Sequence, residues 1–151
     1  MEEIILAKIG ETVLKGLNRR NFEDILIRNI KSSIKMLGKF NVYIAQSTIY
    51  IEPLSEDIDL SETEDKISKV FGIASYSRAC AADKNINSIK ENARSYLYDE
   101  LMGVNTFKIE SKRADKSFPL KSPEISREVG GYLYESFDHL NVDVHNPDII
   151  I

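Results

Sequence analysis

Between Phe107 and Phe137 the chain reads Lys108-Ile109-Glu110-Ser111-Lys112-Arg113-Ala114-Asp115-Lys116-Ser117-Phe118-Pro119, and shortly afterwards Ser122-Pro123-Glu124. From Lys108 to Lys121 five basic residues (Lys108, Lys112, Arg113, Lys116, Lys121) stand against two acids, in a chain whose net charge is −4. The apolar–polar alternation ends at Ser111. Ser122 followed by proline reads as an N-cap with Pro123 at the first helical position. The cations therefore crowd a turn between a strand and a helix. Backbone N–H groups and the helix dipole add there to side-chain charge, which suits a phosphate group. A solvated loop of the same composition is the other reading, because Lys and Arg populate any surface.

No other constellation points to a reaction. Cys80 lies among alanines with no acid–base partner in the sequence, and reads as a small packing residue. His139 and His145 are six residues apart, which fits neither a metalloprotease helix nor a Cys/His zinc pattern. No glycine-rich phosphate loop is present, so neither a catalytic residue nor a metal site is expected.

These residues must be positioned by 151 residues of globular composition, 42 % hydrophobic and 29 % charged, enough for one ordinary domain or two small ones. No apolar run is long enough to cross a bilayer, and Met1-Glu2-Glu3 is acidic where a signal peptide would be basic. A cytoplasmic protein without a membrane partner is expected. The single cysteine excludes an internal disulfide. Charge is zoned: Glu52 to Asp65 holds seven acids and no base, and outside that window 20 basic residues face 17 acidic ones. A second basic zone, Lys8 to Lys39, has eight basic residues against three acids.

The pattern predicts an aliphatic strand at Glu3–Ile9 and a helix from N-cap Asn18 to Gly38, with Phe22, Ile25, Leu26, Ile30, Ile34 and Leu37 inward. A hairpin follows at Phe40–Gln46 and Thr48–Ile51. Ser61-Glu62-Thr63-Glu64 reads as a capping box opening a helix to Val70, and Phe71–Ser77 as a strand. The order β-α-β-β-α-β is that of a ferredoxin-like fold. Ala79–Asp83 is the expected connection, giving domains at 1–78 and 79–151. The second domain is predicted to hold a helix at Ile86–Met102, a strand at Val104–Ser111, a helix from Ser122 with Ile125, Val129, Leu133 and Phe137 buried, and strands near Val142–Val144 and Ile149–Ile151.

The Lys-Arg-x-Asp-Lys-Ser-Phe phrase, continued by Ser122, Glu124, Ile125, Val129, Gly130 and Val142-Asp143-Val144…Pro147-Asp148, resembles the THUMP domain, an RNA-binding module. Ile9-Gly10-Glu11, Leu14-Lys15-Gly16-Leu17-Asn18-Arg19, Phe22-Glu23 and Val70-Phe71-Gly72-Ile73 resemble the start of the tRNA 4-thiouridine synthetases. The resemblance implies an α+β chain: a ferredoxin-like domain followed by a THUMP domain truncated at its C-terminal end. It implies that tRNA, held by its acceptor region, is the partner, and that Lys15, Arg19, Arg20, Lys112, Arg113 and Lys116 face RNA. Phe118 is a candidate for stacking on an unpaired base.

For the intact family member the resemblance implies ATP and Mg in a further catalytic domain, sulfur from a cysteine desulfurase, and sulfur donation to thiamine thiazole synthesis. The adenylating loop Ser-Gly-Gly-x-Asp-Ser and the family's sulfur-carrying cysteine are not in this sequence, so no cofactor is expected here. The chain reads as a fragment ending inside an aliphatic run, whose apolar edge could pair with a second copy as a homodimer. A THUMP-containing methyltransferase or pseudouridine synthase, and a ferredoxin-like protein-interaction module using the acidic window, are the competing readings.

Overall fold

The structure is a computed structural model that describes residues 2–10 and 18–151. It divides into two compact units, Glu2–Ala81 and Ala82–Ile151.

In the first unit Glu2–Ile9 forms β1, Arg19–Ile34 α1, Phe40–Ala45 β2, Thr48–Pro53 β3, Leu60–Ser68 α2 and Ile73–Ala81 β4. A short 3-10 turn, Lys35–Leu37, closes α1. The sheet order is β2-β3-β1-β4 with every neighbour antiparallel, as a ferredoxin-like fold requires. Period-two alternation sends Ile5, Ala7 and Ile9 of β1, Val42 of β2 and Ile49 and Ile51 of β3 into one core. Leu26, Ile30 and Ile34 of α1 and Ile67 of α2 complete it. Each fully buried aliphatic side chain contributes about 1.5–3 kcal/mol relative to exposure.

Three local expectations are revised here. The cap of α2 is Asp59, whose carboxylate accepts the Ser61 and Glu62 N–H groups at 2.9 and 3.2 Å. Ser61 is not the cap, and the helix starts one residue earlier than Ser61. Second, β4 starts at Ile73 and runs to Ala81, because Glu2, Glu3 and Ile4 at the start of β1 pair with Ala81, Cys80 and Ala79. The small residues 79–81 are thus strand, not connection. Third, Asn18 precedes α1 without a side-chain cap.

In the second unit α3 is Ile86–Tyr96, α4 Tyr98–Met102, β5 Thr106–Lys108, α5 Ser122–Ser136, β6 Asn141–Val142 and β7 Ile149–Ile150. The expected helix to Met102 is broken at Leu97, where neither Gly nor Pro marks the sequence. Asn85 caps α3 by accepting the Ser88 N–H at 2.8 Å. The strand expected at Val104–Ser111 is only three residues long. It lies between two parallel partners in the order β6-β5-β7, and Val144 lies outside β6. Phe107, fully buried, packs with Leu101, Val129, Leu133, Phe137 and Leu140.

Candidate nucleic-acid interface

The basic stretch of the second unit leaves β5 and returns into α5. Its backbone is tied down by its own side chains. Ser111 Oγ accepts from Ser126 Oγ at 2.8 Å, which fixes the exit from β5 to the helix. The Arg113 N–H donates to Ser122 Oγ at 3.1 Å, and one guanidinium nitrogen donates to the Phe118 carbonyl at 3.2 Å. The Phe118 N–H in turn reaches the Asp115 carbonyl at 3.1 Å, closing a tight turn. Ser122 is therefore not the N-cap. Its hydroxyl serves the incoming loop, and Lys121 occupies the cap position with its N–H donating to Glu124 Oε1 at 3.4 Å.

Both acids of the stretch are already engaged. Glu110 pairs with Lys108 at 3.1 Å, and Asp115 pairs with Lys84 at 3.1 Å. The Ser117 hydroxyl and N–H donate to the Asp115 carboxylate at 2.6 and 3.0 Å, and with Lys84 they hold it down at about 2. Lys112 and Lys116 are exposed and have no hydrogen bond or ion pair among the described residues. The local field is consequently positive although the loop contains acids. Because Glu124 already sits in the first turn of α5, the exposed lysines Lys112, Lys116 and Lys121, rather than the helix end, are the anion-attracting element.

The candidates differ in what they are free to do. Arg113 is half-buried and works as a staple of the loop, with one of its five N–H groups committed. Phe118 is half-buried outside the core cluster. In the first unit Arg19 is paired with Glu23 at 2.9 Å and donates to Ser47 Oγ at 2.6 Å, while Arg20 is exposed. Lys15 lies outside the described residues.

A feature absent from the sequence reading adjoins the loop. A groove of about 660 Å³ is lined by Lys108, Arg127, Gly130, Gly131, Tyr134 and Val142, among others. Arg127, Gly130, Gly131 and Tyr134 recur at i, i+3, i+4 and i+7, so one face of α5 forms a wall of the groove. Two adjacent glycines leave that wall without side chains, and a Cβ at Gly131 would meet nothing within 4 Å. Tyr134 is 52 % exposed. The helical spacing of a cation, a glycine pair and an aromatic was the signal available in the sequence.

Among the described residues no group of His, Cys, Asp and Glu could hold a metal ion, and no helix is long and apolar enough to cross a membrane. His139 Nε2 lies 2.8 Å from the Leu101 carbonyl and so serves the fold of the second unit. Burial pushes the Cys80 thiol up, away from the nucleophilic thiolate.

The family model of the ThiI ferredoxin-like domain matches residues 4–77, and that of the THUMP domain residues 83–151. A probable tRNA sulfurtransferase of Acetivibrio thermocellus is 48 % identical over 153 residues, and one of Alkaliphilus oremlandii 42 % identical over 154. Each match covers 100 % of this chain and 39 % of the relative, so the chain spans about two fifths of the length of these proteins. A solved 4-thiouridine synthetase in complex with RNA and bound ATP superposes with a TM-score of 0.80 at 29 % identity, over 99 % of this chain and 37 % of that one.

Proposed function

The chain belongs to the tRNA sulfurtransferase family, in the part that pairs a ThiI ferredoxin-like domain with a THUMP domain, and we propose that it holds tRNA for thiolation chemistry performed elsewhere in the intact protein. The observation that carries this reading is the pair Lys112 and Lys116. They are exposed and uncompensated on a loop whose backbone is immobilised by Ser111, Arg113, Asp115 and Ser122. A fixed backbone presenting mobile cations meets phosphates at low ordering cost. An A-form helix offers side chains little base-edge information, so the contact reads shape and charge. The acceptor region is the part of tRNA assigned to this loop, and the cytoplasm is the compartment in which the two meet.

For the whole protein the reading carries ATP with Mg to activate a tRNA uridine and a cysteine desulfurase as sulfur source, with thiamine thiazole synthesis as a second outlet. Pairing of two copies through the β7 edge is the corresponding assembly proposal, supported by Ile150 standing 57 % exposed there.

The test is anisotropy of labelled tRNA against the chain and its Lys112→Ala/Lys116→Ala variant. The double variant weakens binding alike for different tRNAs and reduces the slope of log K against log salt by about 0.7–0.9 for each phosphate contact removed. Lys66→Ala/Lys69→Ala, on and just after α2, is the control and leaves affinity nearly unchanged. An unchanged slope in the first variant overturns the assignment of the loop.

A further inference from the structure

The end of β1, the Gln46-Ser47 turn, the start of α1 and the turn before β4 meet at one end of the first unit. Gly10 N–H donates to the Gly72 carbonyl at 3.0 Å, the Arg19 guanidinium reaches Ser47, and a Cβ at Gly72 would lie 2.8 Å from the Phe22 ring. Phe71, in the turn before β4, is 83 % exposed. It is not exposed by looseness. Val70 N–H donates to Ile67 O at 3.0 Å, Ile73 N–H points to Val70 O at 3.4 Å, and Gly72 sits at φ 103° against α1. A tied turn thus holds a large ring in water.

Its surroundings indicate what it meets. Lys69 in the same turn is paired with Asp65 at 3.2 Å and Arg19 with Glu23 at 2.9 Å. Arg20, which with Arg19 opens the helix on which the turn packs, is exposed. The other strongly exposed apolar side chains of this unit, Met36 and Leu54, stand at the opposite end, where Phe40 pairs with Pro53 and Leu54 N–H reaches Lys39 O. A protein interface needs a contiguous apolar patch. A single ring beside an exposed guanidinium is instead the arrangement of a base-stacking platform. We infer that Phe71 stacks on an unpaired base of the bound RNA, with Arg20 on the adjoining phosphate. This inference rests on the RNA-binding reading above.

The chain contains no tryptophan, so Phe71→Trp installs a single indole at the contact, excited to the red of the seven tyrosines. An RNA duplex with an unpaired 3′ extension quenches that emission, and the same duplex cut blunt does not. Phe71→Ala weakens binding of the extended RNA roughly five- to a hundred-fold and leaves the blunt duplex unaffected, with a thermal melt confirming the fold. Phe71→Tyr retains affinity. Equal quenching by both RNAs, or unchanged affinity of Phe71→Ala for the extended RNA, overturns the inference. If Lys112→Ala/Lys116→Ala loses affinity while the Phe71 variants do not, only this inference falls. If no RNA binds the unaltered chain, both readings fall.

Discussion

In the first unit β1 and β4 pair over eight residues, from Glu2↔Ala81 to Ile9↔Ile73. In the second, β5 meets each of its neighbours over two. The first sheet is held by its ladder and by alternate aliphatic side chains. The second is held by a core centred on Phe107 and by aspartates that take over backbone hydrogen bonding where the ladder stops. Asp148 accepts the Asn105 and Thr106 N–H groups at 3.0 and 3.1 Å, and its own N–H donates to Thr106 Oγ1 at 2.9 Å. Asp143 accepts from His145 and Asn146 at 3.0 Å each. A short parallel sheet can stand when loop side chains replace missing strand partners, and the arrangement keeps the cationic loop and the groove on a fixed frame.

The sharpest way to break this comparison is Phe107→Ala. It removes the largest fully buried side chain of the second core and costs that unit about 3–5 kcal/mol. Denaturation followed by amide exchange should show residues 82–151 losing protection first, with the first unit's ladder retained. Simultaneous loss in both units would refute a core confined to the second.

Next come two glycines with opposite expected signs. Gly72→Ala forces a side chain into a left-handed conformation and against Phe22, and costs the first unit more than about 1 kcal/mol. Gly131→Ala adds a methyl to open space within α5 and stabilises the second unit by about 0.5–1 kcal/mol. Thermal melts of the two variants decide it. Stabilisation by Gly72→Ala would show that the Phe71 turn is not constrained as described.

The smallest effects are those of pH: carboxyls are depressed in both units, Asp57 of the first included, and a phenol is raised in the first. Asp115, Asp143 and Asp148 are held below the ordinary carboxylate value by N–H and hydroxyl donors, Asp115 at about 2. A depressed carboxyl contributes stability that is complete above its ordinary value near 3.8 and is lost as pH falls toward the folded value, so acid loosens the second unit's loops between about pH 4 and 2. In the first unit Tyr43 donates to Glu52 at 2.6 Å and stacks on Tyr50 with ring centroids 5.0 Å apart. The Glu52 carboxylate, aided by burial, pushes the phenol up to about 12. That contribution is complete below pH 10 and is lost as pH rises toward 12. Residue-resolved titration should find acid sensitivity at Asp115, Asp143 and Asp148 and alkaline sensitivity at Tyr43. Ordinary carboxylate titration at these aspartates, or ordinary phenol titration at Tyr43, would overturn the assignments.

The first unit was the more legible in sequence, for the reason that makes it the better laddered. Its strands are long enough for period two to show, and α1 carries apolar residues at helical spacing from Phe22 to Ile34. The caps were harder to read. Ser61 and Ser122 both have the form of N-caps, yet Asp59 outcompetes the first and Arg113 claims the hydroxyl of the second. The break at Leu97 and the truncation of β5 left no mark, because neither depends on a local breaker.

Residue types and their spacing determined the order of elements, the two cores and the placement of a basic loop between β5 and α5. Tertiary structure decided which cations are available. Lys84 neutralises Asp115 from a segment thirty-one residues away, Lys108 takes Glu110, and Arg113 closes its own loop. Lys112, Lys116 and Lys121 are left over, and Arg127 and Tyr134 gain a groove that only the packing of α5 on β5 creates. Charge along a sequence is a sum, whereas the field at a surface depends on which opposite charges fold to within hydrogen-bonding distance.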